Sequence, residues 1–378
     1  MSKKICYISE ECYLDSDVEI IKELNRQVKL YWYVFFRKKS NVDYTPTKIE
    51  SYSKQHLIAN ISIISLKNRL RNLKIIWEYV QILKTIKKEK PDVIYIDMLG
   101  MPYFFLCVFF ILGTKNVVYA VHDLKIHYKH QHYYFIDLSQ KFIFMYFKHF
   151  HLLSRWQLNI FKQKYPKKNC FYSGICLKDF GSSNKIPPKG KIRFLFFGTI
   201  RKNKGLQYLI EAVNKLSIEF KNEFVVSIAG VCDEWHIYEK LIKDPSVFDL
   251  QIKLIPNQDI PDLFCSSHYI VLPYIDVTQS GPLLIAYNYG IPAIASNLEG
   301  FKEYIEDNKT GYLFKSQDSE DLYRVLKKIL LTKNSNYKFM TQNLGDYIKK
   351  NISTEHIVNK YLDYFNRITE KQTEDEKY

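Results

Sequence analysis

The chain has 378 residues, more than one hydrophobic core usually serves, so its length favours two domains. It carries 55 lysines and arginines against 40 aspartates and glutamates, and the whole excess of +15 falls in residues 1–185, which hold 30 basic and 15 acidic residues. The positive charge of this half predicts an attraction for polyanions, phosphorylated substrates or anionic membranes. No apolar run reaches the ~20 residues of a membrane-spanning helix.

The cysteines and the most apolar segment also limit the class of protein. Seven cysteines show neither C-x-x-C nor Cys/His ligand spacing, which predicts reduced core thiols in a cytoplasmic protein. The beginning of the sequence has too short an apolar stretch for a secretory signal. MPYFFLCVFFILG, at 101–113, is expected to form a buried or interfacial helix.

Short β-branched and aromatic runs alternate with helix-length segments, which predicts parallel sheets covered by helices on both faces. The predicted strands of the first half are KKICYIS, VKLYWYVFF, SIISL, DVIYIDM and NVVYAVHD. After SSNKIPPKGK (182–191), a stretch of linker composition, the predicted strands are IRFLFFG, FVVSIAG, IKLIPN, YIVLPYI, IPAIAS and GYLF. Helices such as GLQYLIEAVNKL and EDLYRVLKKILL separate them.

The expected fold class is therefore α/β, with two doubly wound, Rossmann-like domains facing a cleft. We expect a basic N-terminal domain over residues 1–182 and a C-terminal domain over 190–345. A C-terminal helix at 346–370 is expected to pack back on the first domain, and a disordered tail is expected at 371–378.

Glycine is concentrated in one region. Of only 13 glycines, four follow one another at near-ten-residue spacing: Gly281, Gly290, Gly300 and Gly311. Before Gly290, Ser280 is suited to cap a short helix and Pro282 to its first position. Such a helix would start at the carboxyl edge of a parallel sheet, where its positive end can bind a phosphate that approaches the bare backbone of Gly281.

A second phosphate signal is FFGTIRKNKG, at 196–205, which places Arg201 and Lys204 between a predicted strand and a helix. It is not a P-loop, because G-x-x-x-x-G-K-[ST] is absent. Two cations at a strand end can stabilise the charge that develops on a leaving diphosphate.

These two segments, FFGTIRKNKGLQYLIEA and QSGPLLIAYNYGIPAIASNLEGFKEYIEDNKTGYLF, resemble the C-terminal domain of family 4 glycosyltransferases, which have the GT-B fold. The resemblance extends more weakly to PDVIYID, NVVYAVHDL and HLLSRWQLNIFKQKYP. It implies a retaining enzyme that moves a sugar from a nucleotide-sugar, bound by the second domain, to an acceptor hydroxyl on the first. It also implies no cofactor and no bound metal.

The resemblance implies catalytic roles for three residues. Arg201 and Lys204 look like the pair that holds the donor diphosphate, and His122, in AVHD, resembles a histidine that faces the donor sugar. The other donor-binding residues implied are Gly198, Thr199, Ser280, Gly281 and Glu303.

The sequence also departs from the family pattern. Alignment on Gly290 places Val277 and Ile285 where the family commonly has two glutamates, the second of which is thought to hold the ribose hydroxyls. Gln279 is then expected to supply a polar contact to the donor. An N-terminal Gly-Gly loop is also missing from YISEECYLDSD.

The basic half suggests where the acceptor lies. SLKNRLRNLKIIWEYVQILKTIKKEK, at 65–90, has eight basic and two acidic residues, and YYFIDLSQKFIFMYFKHFH, at 133–151, adds aromatics and cations. Either these helices are ordinary solvated surfaces or they lie on anionic lipid. If the first domain binds the acceptor and these helices lie on lipid, a lipid-linked or oligosaccharide acceptor is expected. The protein is then expected to be peripheral, on the inner face of the plasma membrane.

Metal binding has only weak sequence signals. LDSD, at 14–17, has D-x-D spacing but leads into VEIIKEL, which favours helix capping. Six histidines fall between His122 and His151, and none forms H-E-x-x-H.

Two other classes of function stay open. One is a degenerate relative that binds or scaffolds without catalysis. The other is a basic nucleic-acid-binding protein, although no RRM, KH or helix-turn-helix pattern is present, so no nucleic-acid partner is expected. The leading prediction is a hexosyltransferase of cell-surface polysaccharide synthesis.

Overall fold

The computed structural model describes residues 3–38, 44–70, 72–98, 101–124 and 133–375. Two compact units divide the chain: Met1–Cys176 together with Thr354–Tyr378, and Leu177–Ser353. The change of unit thus comes at residue 176, before the stretch at 182–190 where the prolines and polar residues predicted it. The chain returns to the first unit at Thr354, later than the expected residue 346.

The strands of the described residues form two parallel sheets. In chain order they are β1 (Lys4–Glu10), β2 (Lys29–Phe36), β3 (Ile61–Ser65), β4 (Val93–Asp97), β5 (Val117–Val121), β6 (His149–Leu152), β7 (Asn169–Tyr172), β8 (Ile192–Phe197), β9 (Phe224–Ala229), β10 (Phe248–Gln251), β11 (Tyr269–Leu272), β12 (Ala293–Ser296) and β13 (Gly311–Phe314). The sheet orders are β3-β2-β1-β4-β5-β6-β7 and β10-β9-β8-β11-β12-β13.

Helices connect successive strands, as crossovers between parallel strands require. In chain order they are α1 (Leu14–Gln27), α2 (Pro46–Gln55), α3 (Lys74–Lys88), α4 (Phe104–Ile111), α5 (Tyr133–Tyr146), α6 (Arg155–Lys164), α7 (Leu206–Phe220), α8 (Trp235–Glu239), α9 (Ile260–Cys265), α10 (Gly281–Asn288), α11 (Glu299–Lys302), α12 (Ser319–Asn351) and α13 (Thr354–Asp375). No helix in the described ranges is both long and apolar enough to cross a membrane.

The alternating pattern confirms the α/β fold class, and three strands differ from the prediction. Strands β6 and β7 were not predicted, and the predicted strand IKLIPN is wrong because β10 lies just before it. The helix expected within 101–113 is α4, in which Phe104, Phe105, Cys107 and Val108 are buried whereas Phe110 is 78% exposed.

Both faces of the first sheet are buried. Along β1, Cys6 and Ile8 join the core on one face, whereas Ile5 and Tyr7 join the core on the other. Because side chains alternate along a strand, one short apolar run serves both cores.

Helix α13 packs against α1 and contributes buried apolar side chains to the core of the first unit, among them Ile357, Tyr361 and Phe365. Full burial of an apolar side chain such as Ile357 or Phe365 stabilises the fold by about 1.5–3 kcal/mol. The helix continues to Asp375, so the tail predicted as disordered from residue 371 is helical to that point.

Each sheet reverses its strand order at one place, between β1 and β4 in the first unit and between β8 and β11 in the second. Ligands of doubly wound folds bind outside the carboxyl ends of the strands at such switch points. The segments that follow these four strands are therefore the first places to look for a site.

Candidate functional site

In the second unit, the loop after β8 lies directly beside the start of α10. A Cβ added to Gly198 would lie 3.5 Å from Cγ of Pro282, in the first turn of that helix. Thr199 is exposed, and the buried Ile200 anchors the loop. The structure thus brings together the two segments that the sequence singled out for phosphate binding.

The cations of this loop differ in environment. Arg201 is exposed, whereas Lys204 is partly buried, and its ammonium lies 3.7 Å from the centroid of the Tyr274 ring. Burial, with a smaller contribution from the charge of Arg201, lowers the pKa of Lys204 to about 8. Neither residue forms an ion pair with any residue that the structure describes. Their positive charge is therefore uncompensated.

The same loop is fastened to the segment after β11. The amide of Ile275 donates to the carbonyl of Asn203 at 2.9 Å. Gly205 has a φ of +63°, and a Cβ added to it would lie 1.9 Å from the carbonyl oxygen of Pro273. Only glycine fits this position, and the contact holds Lys204 over Tyr274.

Helix α10 has the predicted caps. The Ser280 hydroxyl accepts the amide of Leu283 at 3.4 Å, and Gly290, just beyond the helix, has a φ of +68°. Pro282 has no N–H, so the helix does not offer a row of free amides. The amide of Gly281 is the donor of the first turn that has no acceptor among the described residues.

A third cation lies at this helix start. The ammonium of Lys178 is 3.5 Å from the position that a Cβ of Gly281 would take. Sequence reasoning missed Lys178 because it stands about 100 residues before α10, in GICLKDF, a segment without a motif. Lys178 therefore lies at a helix N-terminus whose dipole also favours an anion, and the loop that carries Arg201 and Lys204 packs beside the same helix start.

Gln279 precedes the cap, and its side-chain nitrogen is buried without a hydrogen-bond partner in the described part of the chain. An unpaired buried amide costs free energy, which a ligand oxygen could offset. A Cβ on Gly300 would lie 2.8 Å from the carbonyl oxygens of both Val277 and Thr278, so α11 packs tightly beneath this segment. Glu303 directly follows α11, and its carbonyl accepts the Tyr347 hydroxyl at 2.9 Å.

The two family glutamates are absent in chemical terms as well as in sequence. Ile285 is 4% exposed and packs into the core of its unit, and Val277 is apolar and partly buried. Neither can bind ribose hydroxyls. Gln279 is the polar side chain of this segment with an unused donor.

In the first unit, His122 follows β5 and meets Asp97, the last residue of β4. His122 Nε2 lies 2.6 Å from Asp97 Oδ1, and the imidazole stacks on the Tyr13 ring with centroids 3.9 Å apart. Burial lowers the pKa of His122, but the charge and hydrogen bond of Asp97 outweigh it, so the pKa is raised above its ordinary value. Asp97 thus favours the charged form of an imidazole at the carboxyl edge of the first sheet.

The LDSD segment and the histidines, which were the weaker sequence signals, have other places in the structure. Helix α1 has Tyr13 as its N-cap, without a side-chain cap, so the expected capping by LDSD is wrong; Asp17 is buried instead. His149 and His151 bond to Tyr364 and Tyr95 within the fold, and His127, His130 and His132 lie outside the described residues. The described residues contain no group of three His, Cys, Asp or Glu placed to hold a metal.

Solved structures of similar fold cover almost the whole chain. A glycosyltransferase from Rickettsia africae has a TM-score of 0.73 at 15% identity over 97% of this chain and 98% of its own. Anabaena HepE in complex with UDP and glucose has a TM-score of 0.70 at 13% identity, over 97% and 100%. A putative UDP-N-acetylglucosamine 2-epimerase from Listeria monocytogenes reaches 0.63 at 14% identity, over 96% and 95%. The fold is therefore of the GT-B type.

Sequence comparison gives a family match within the second unit. Residues 191–332 match the family described as Glycosyl transferases group 1. An uncharacterised 41.2 kDa protein in the cps region of Klebsiella pneumoniae is 27% identical over 36% of this chain, and an uncharacterised glycosyltransferase of Methanocaldococcus jannaschii is 26% identical over 51%. The matches span 37% and 50% of the lengths of these relatives.

Proposed function

We propose that this protein is a retaining glycosyltransferase that moves a hexosyl group from a nucleoside-diphosphate sugar to an acceptor hydroxyl. The observation that carries the proposal is that the loop with Arg201 and Lys204 packs against the start of α10, where Lys178 also lies, at the switch point of the second sheet. A diphosphate is the ligand that matches three cations and a helix N-terminus. The group 1 match and the UDP and glucose bound by the HepE neighbour support the same class of donor.

The proposed chemistry follows from where negative charge develops. As the bond between the sugar and the diphosphate breaks, charge accumulates on the leaving phosphate, and Arg201 and Lys204 stabilise it there. The Gly281 amide adds a hydrogen bond, and Gln279 takes a polar atom of the donor. We assign the positive charge at the diphosphate to these side chains rather than to a bound metal or cofactor.

The proposed contribution of the first unit is made by His122. His122, as an imidazolium, donates a hydrogen bond to the donor sugar. The departing phosphate oxygen accepts the proton of the attacking hydroxyl, as the family resemblance implies. Transfer then needs no separate general base.

For the acceptor, we propose a lipid-linked or oligosaccharide glycan presented at an anionic membrane surface during cell-surface polysaccharide synthesis. The location of the Klebsiella relative in a cps region supports polysaccharide synthesis. Among the described residues, helices α3, α4 and α5 lie together and expose large apolar side chains. These are Trp77, Phe110, Leu138, Met145 and Tyr146, together with Leu73, which directly precedes α3.

Charge favours an anionic surface as the partner of these helices. Lys74, Lys84, Lys87 and Lys88 of α3 are exposed and form no ion pair within the described ranges. Each such cation near anionic lipid contributes about 1 kcal/mol. The proposed place of the protein is thus peripheral, on the inner face of the plasma membrane.

The donor is tested by isothermal titration with a panel of UDP-, GDP- and dTDP-sugars, followed by measurement of sugar release without acceptor. We expect one nucleotide series to bind and to be hydrolysed slowly. Binding without turnover, with or without acceptors, would favour the scaffold alternative. Interconversion of a UDP-N-acetylhexosamine with its epimer would instead favour the chemistry of the epimerase neighbour, and no binding at all would refute the donor assignment.

The membrane contact is tested by flotation with vesicles of phosphatidylglycerol or phosphatidylcholine. We expect binding to the anionic vesicles at low salt, which high salt weakens. Trp77→Glu and Phe110→Glu should reduce flotation, whereas Leu254→Glu, at a 73% exposed position of the second unit, should not. Equal flotation of all three variants would contradict the assigned surface.

A further inference from the structure

Two buried carboxyl groups lie behind His122 in the first unit. Asp97 ends β4 and is 3% exposed, and Asp17, in the first turn of α1, is fully buried. Both lie at the switch point between β1 and β4, where a doubly wound fold places its ligand. Burial and the charge of Asp97 both disfavour the ionised form of Asp17, so a proton held between the two carboxyl groups is favoured.

The contacts decide which carboxyl group carries that proton. Asp97 has an imidazolium partner, because His122 Nε2 lies 2.6 Å from its Oδ1. Apart from Asp97 itself, the partners of Asp17 among the described residues are neutral hydroxyl groups: Tyr7 donates to its Oδ1 at 2.7 Å, and Ser9 lies nearby. Charge is therefore more stable on Asp97 than on Asp17.

An unpaired atom supports the same assignment. Oδ2 of Asp17 is buried and receives no hydrogen bond from any residue that the structure describes. An ionised oxygen that is buried without a hydrogen-bond donor costs free energy. If this oxygen of Asp17 is protonated, it can instead donate a hydrogen bond to Asp97, with which Asp17 interacts. Burial, and then the charge of Asp97, raise the pKa of Asp17 well above its usual range.

We propose that Asp17 carries the proton of this pair and acts as a positioning residue, holding Asp97 as the anion that keeps His122 a charged imidazolium. The Tyr13 ring, 10° from parallel with the imidazole, fixes the plane of the ring. Nδ1 of His122 has no partner among the described residues and can donate to a ligand. The inference deepens the proposed function, on which the use of that donor in sugar transfer rests.

Other ionisable groups face this cluster from the elements packed around it. They are Tyr7 on β1, Asp15 in α1, Tyr95 on β4, Asp123 after β5, His151 on β6 and Tyr361 on α13. Burial, and then the charge of His122, hold the pKa of His151 well below its ordinary value, so this neighbour stays neutral. The tyrosines stay neutral for the same reason, since burial raises their pKa values. The positive charge of the cluster thus resides on His122.

The test is an NMR pH titration of ring-labelled histidines, with the His122 signal assigned from its loss in His122→Gln. In the wild type its midpoint should lie above the ordinary value of 6.5. Asp17→Asn replaces a neutral carboxylic acid by a neutral amide, so the midpoint should stay where it is. Asp97→Asn removes the anion, and the midpoint should fall below 6.5. His236, in the second unit, is the internal reference.

If Asp17 is ionised instead, Asp17→Asn removes a charge and lowers the His122 midpoint as Asp97→Asn does, which overturns the proposal. Because the variant could fail to fold, infrared spectra of the wild type give a second reading. A protonated carboxyl band at neutral pH that Asp17→Asn removes supports the proposal, and its absence from the wild type contradicts it. Neither readout needs a substrate, so the proposed transferase function can fail without affecting them.

Discussion

The ammonium of Lys204 lies 3.7 Å from the centre of the Tyr274 ring, where burial and Arg201 lower its pKa to about 8. A cation over a buried aromatic face is attracted by the ring, by about 2 kcal/mol where water is excluded. The ring does not neutralise the charge, and no carboxylate of the described residues does so either. An anionic ligand would complete this arrangement.

This environment predicts a pH dependence of nucleoside-diphosphate binding. Below pH 8 Lys204 is already charged, so the affinity for UDP should not change with its protonation. Above pH 8 the free protein holds a neutral amine, while the bound diphosphate favours the ammonium and raises its pKa. Binding must then take up a proton, and affinity should fall by up to about tenfold per pH unit.

Titration calorimetry in buffers of different ionisation enthalpy measures that proton directly. At pH 9 the wild type should take up close to one proton on binding UDP. Lys204→Arg keeps a charge at all these pH values and should take up none. Equal proton uptake by both proteins would show that Lys204 is not the titrating group.

Removal of either cation should slow turnover more than it weakens the fold. Arg201→Ala and Lys204→Ala each remove a group that stabilises the leaving phosphate, so we expect kcat to fall by about 100- to 1,000-fold. Lys202→Ala is the matched control, because Lys202 is an exposed lysine of the same loop. Steady-state kinetics with the donor found in the panel measure all three. Undiminished turnover in the first two variants would remove the assignment.

A substitution at Gly281 should weaken ligand binding without destabilising the fold. Its φ is not in the left-handed region, and a Cβ would make only an ordinary contact, 3.5 Å from the Lys178 ammonium. Gly281→Ala should therefore leave the free energy of unfolding unchanged or raise it by up to about 1 kcal/mol. The methyl group would occupy the surface where the diphosphate approaches, so UDP affinity should fall.

The control for that variant is Gly290→Ala, at the other end of the same helix. Gly290 has a φ of +68° and open space around it. A side chain there is strained by about 1–2 kcal/mol, so thermal unfolding should occur earlier while UDP affinity stays the same. If Gly281→Ala binds UDP as well as the wild type, the helix start is not the diphosphate site.

Gly205 is required by the fold itself. A Cβ would lie 1.9 Å from the carbonyl oxygen of Pro273, and the φ of +63° adds backbone strain. Backbone cannot move away as a flexible side chain can, so Gly205→Ala should lower the melting temperature sharply, measured by calorimetry. A melting temperature equal to that of the wild type would mean that the loop does not pack on the segment after β11.

The features that sequence could predict are those set by local chemistry. Ser280, Pro282 and Gly290 define a capped helix whatever surrounds them, and the loop with Arg201 and Lys204 follows a strongly apolar strand. The switch point then follows from strand order, which explains why the two motifs meet.

The features that sequence reasoning missed depend on tertiary packing. Asp17 looks like a capping residue, because nothing local indicates that its carboxyl group turns inward towards Tyr7. Strands β6 and β7 have four residues each, too few to show a period. The C-terminal tail has a polar, charged composition, and apolar anchors such as Phe365 bury against α1 and extend the helix.

Lys178 gives the last prediction, because its place at the site could be seen only in the structure. Its ammonium lies 3.5 Å from the Cβ position of Gly281, at the positive end of α10. Lys178→Ala should weaken binding of UDP and make it less sensitive to salt, while uridine, which has no phosphate, should bind as before. Lys185→Ala, at an exposed lysine of the same segment, should change neither ligand. If Lys178→Ala weakens uridine and UDP equally, the residue supports the site through packing and does not contact the diphosphate.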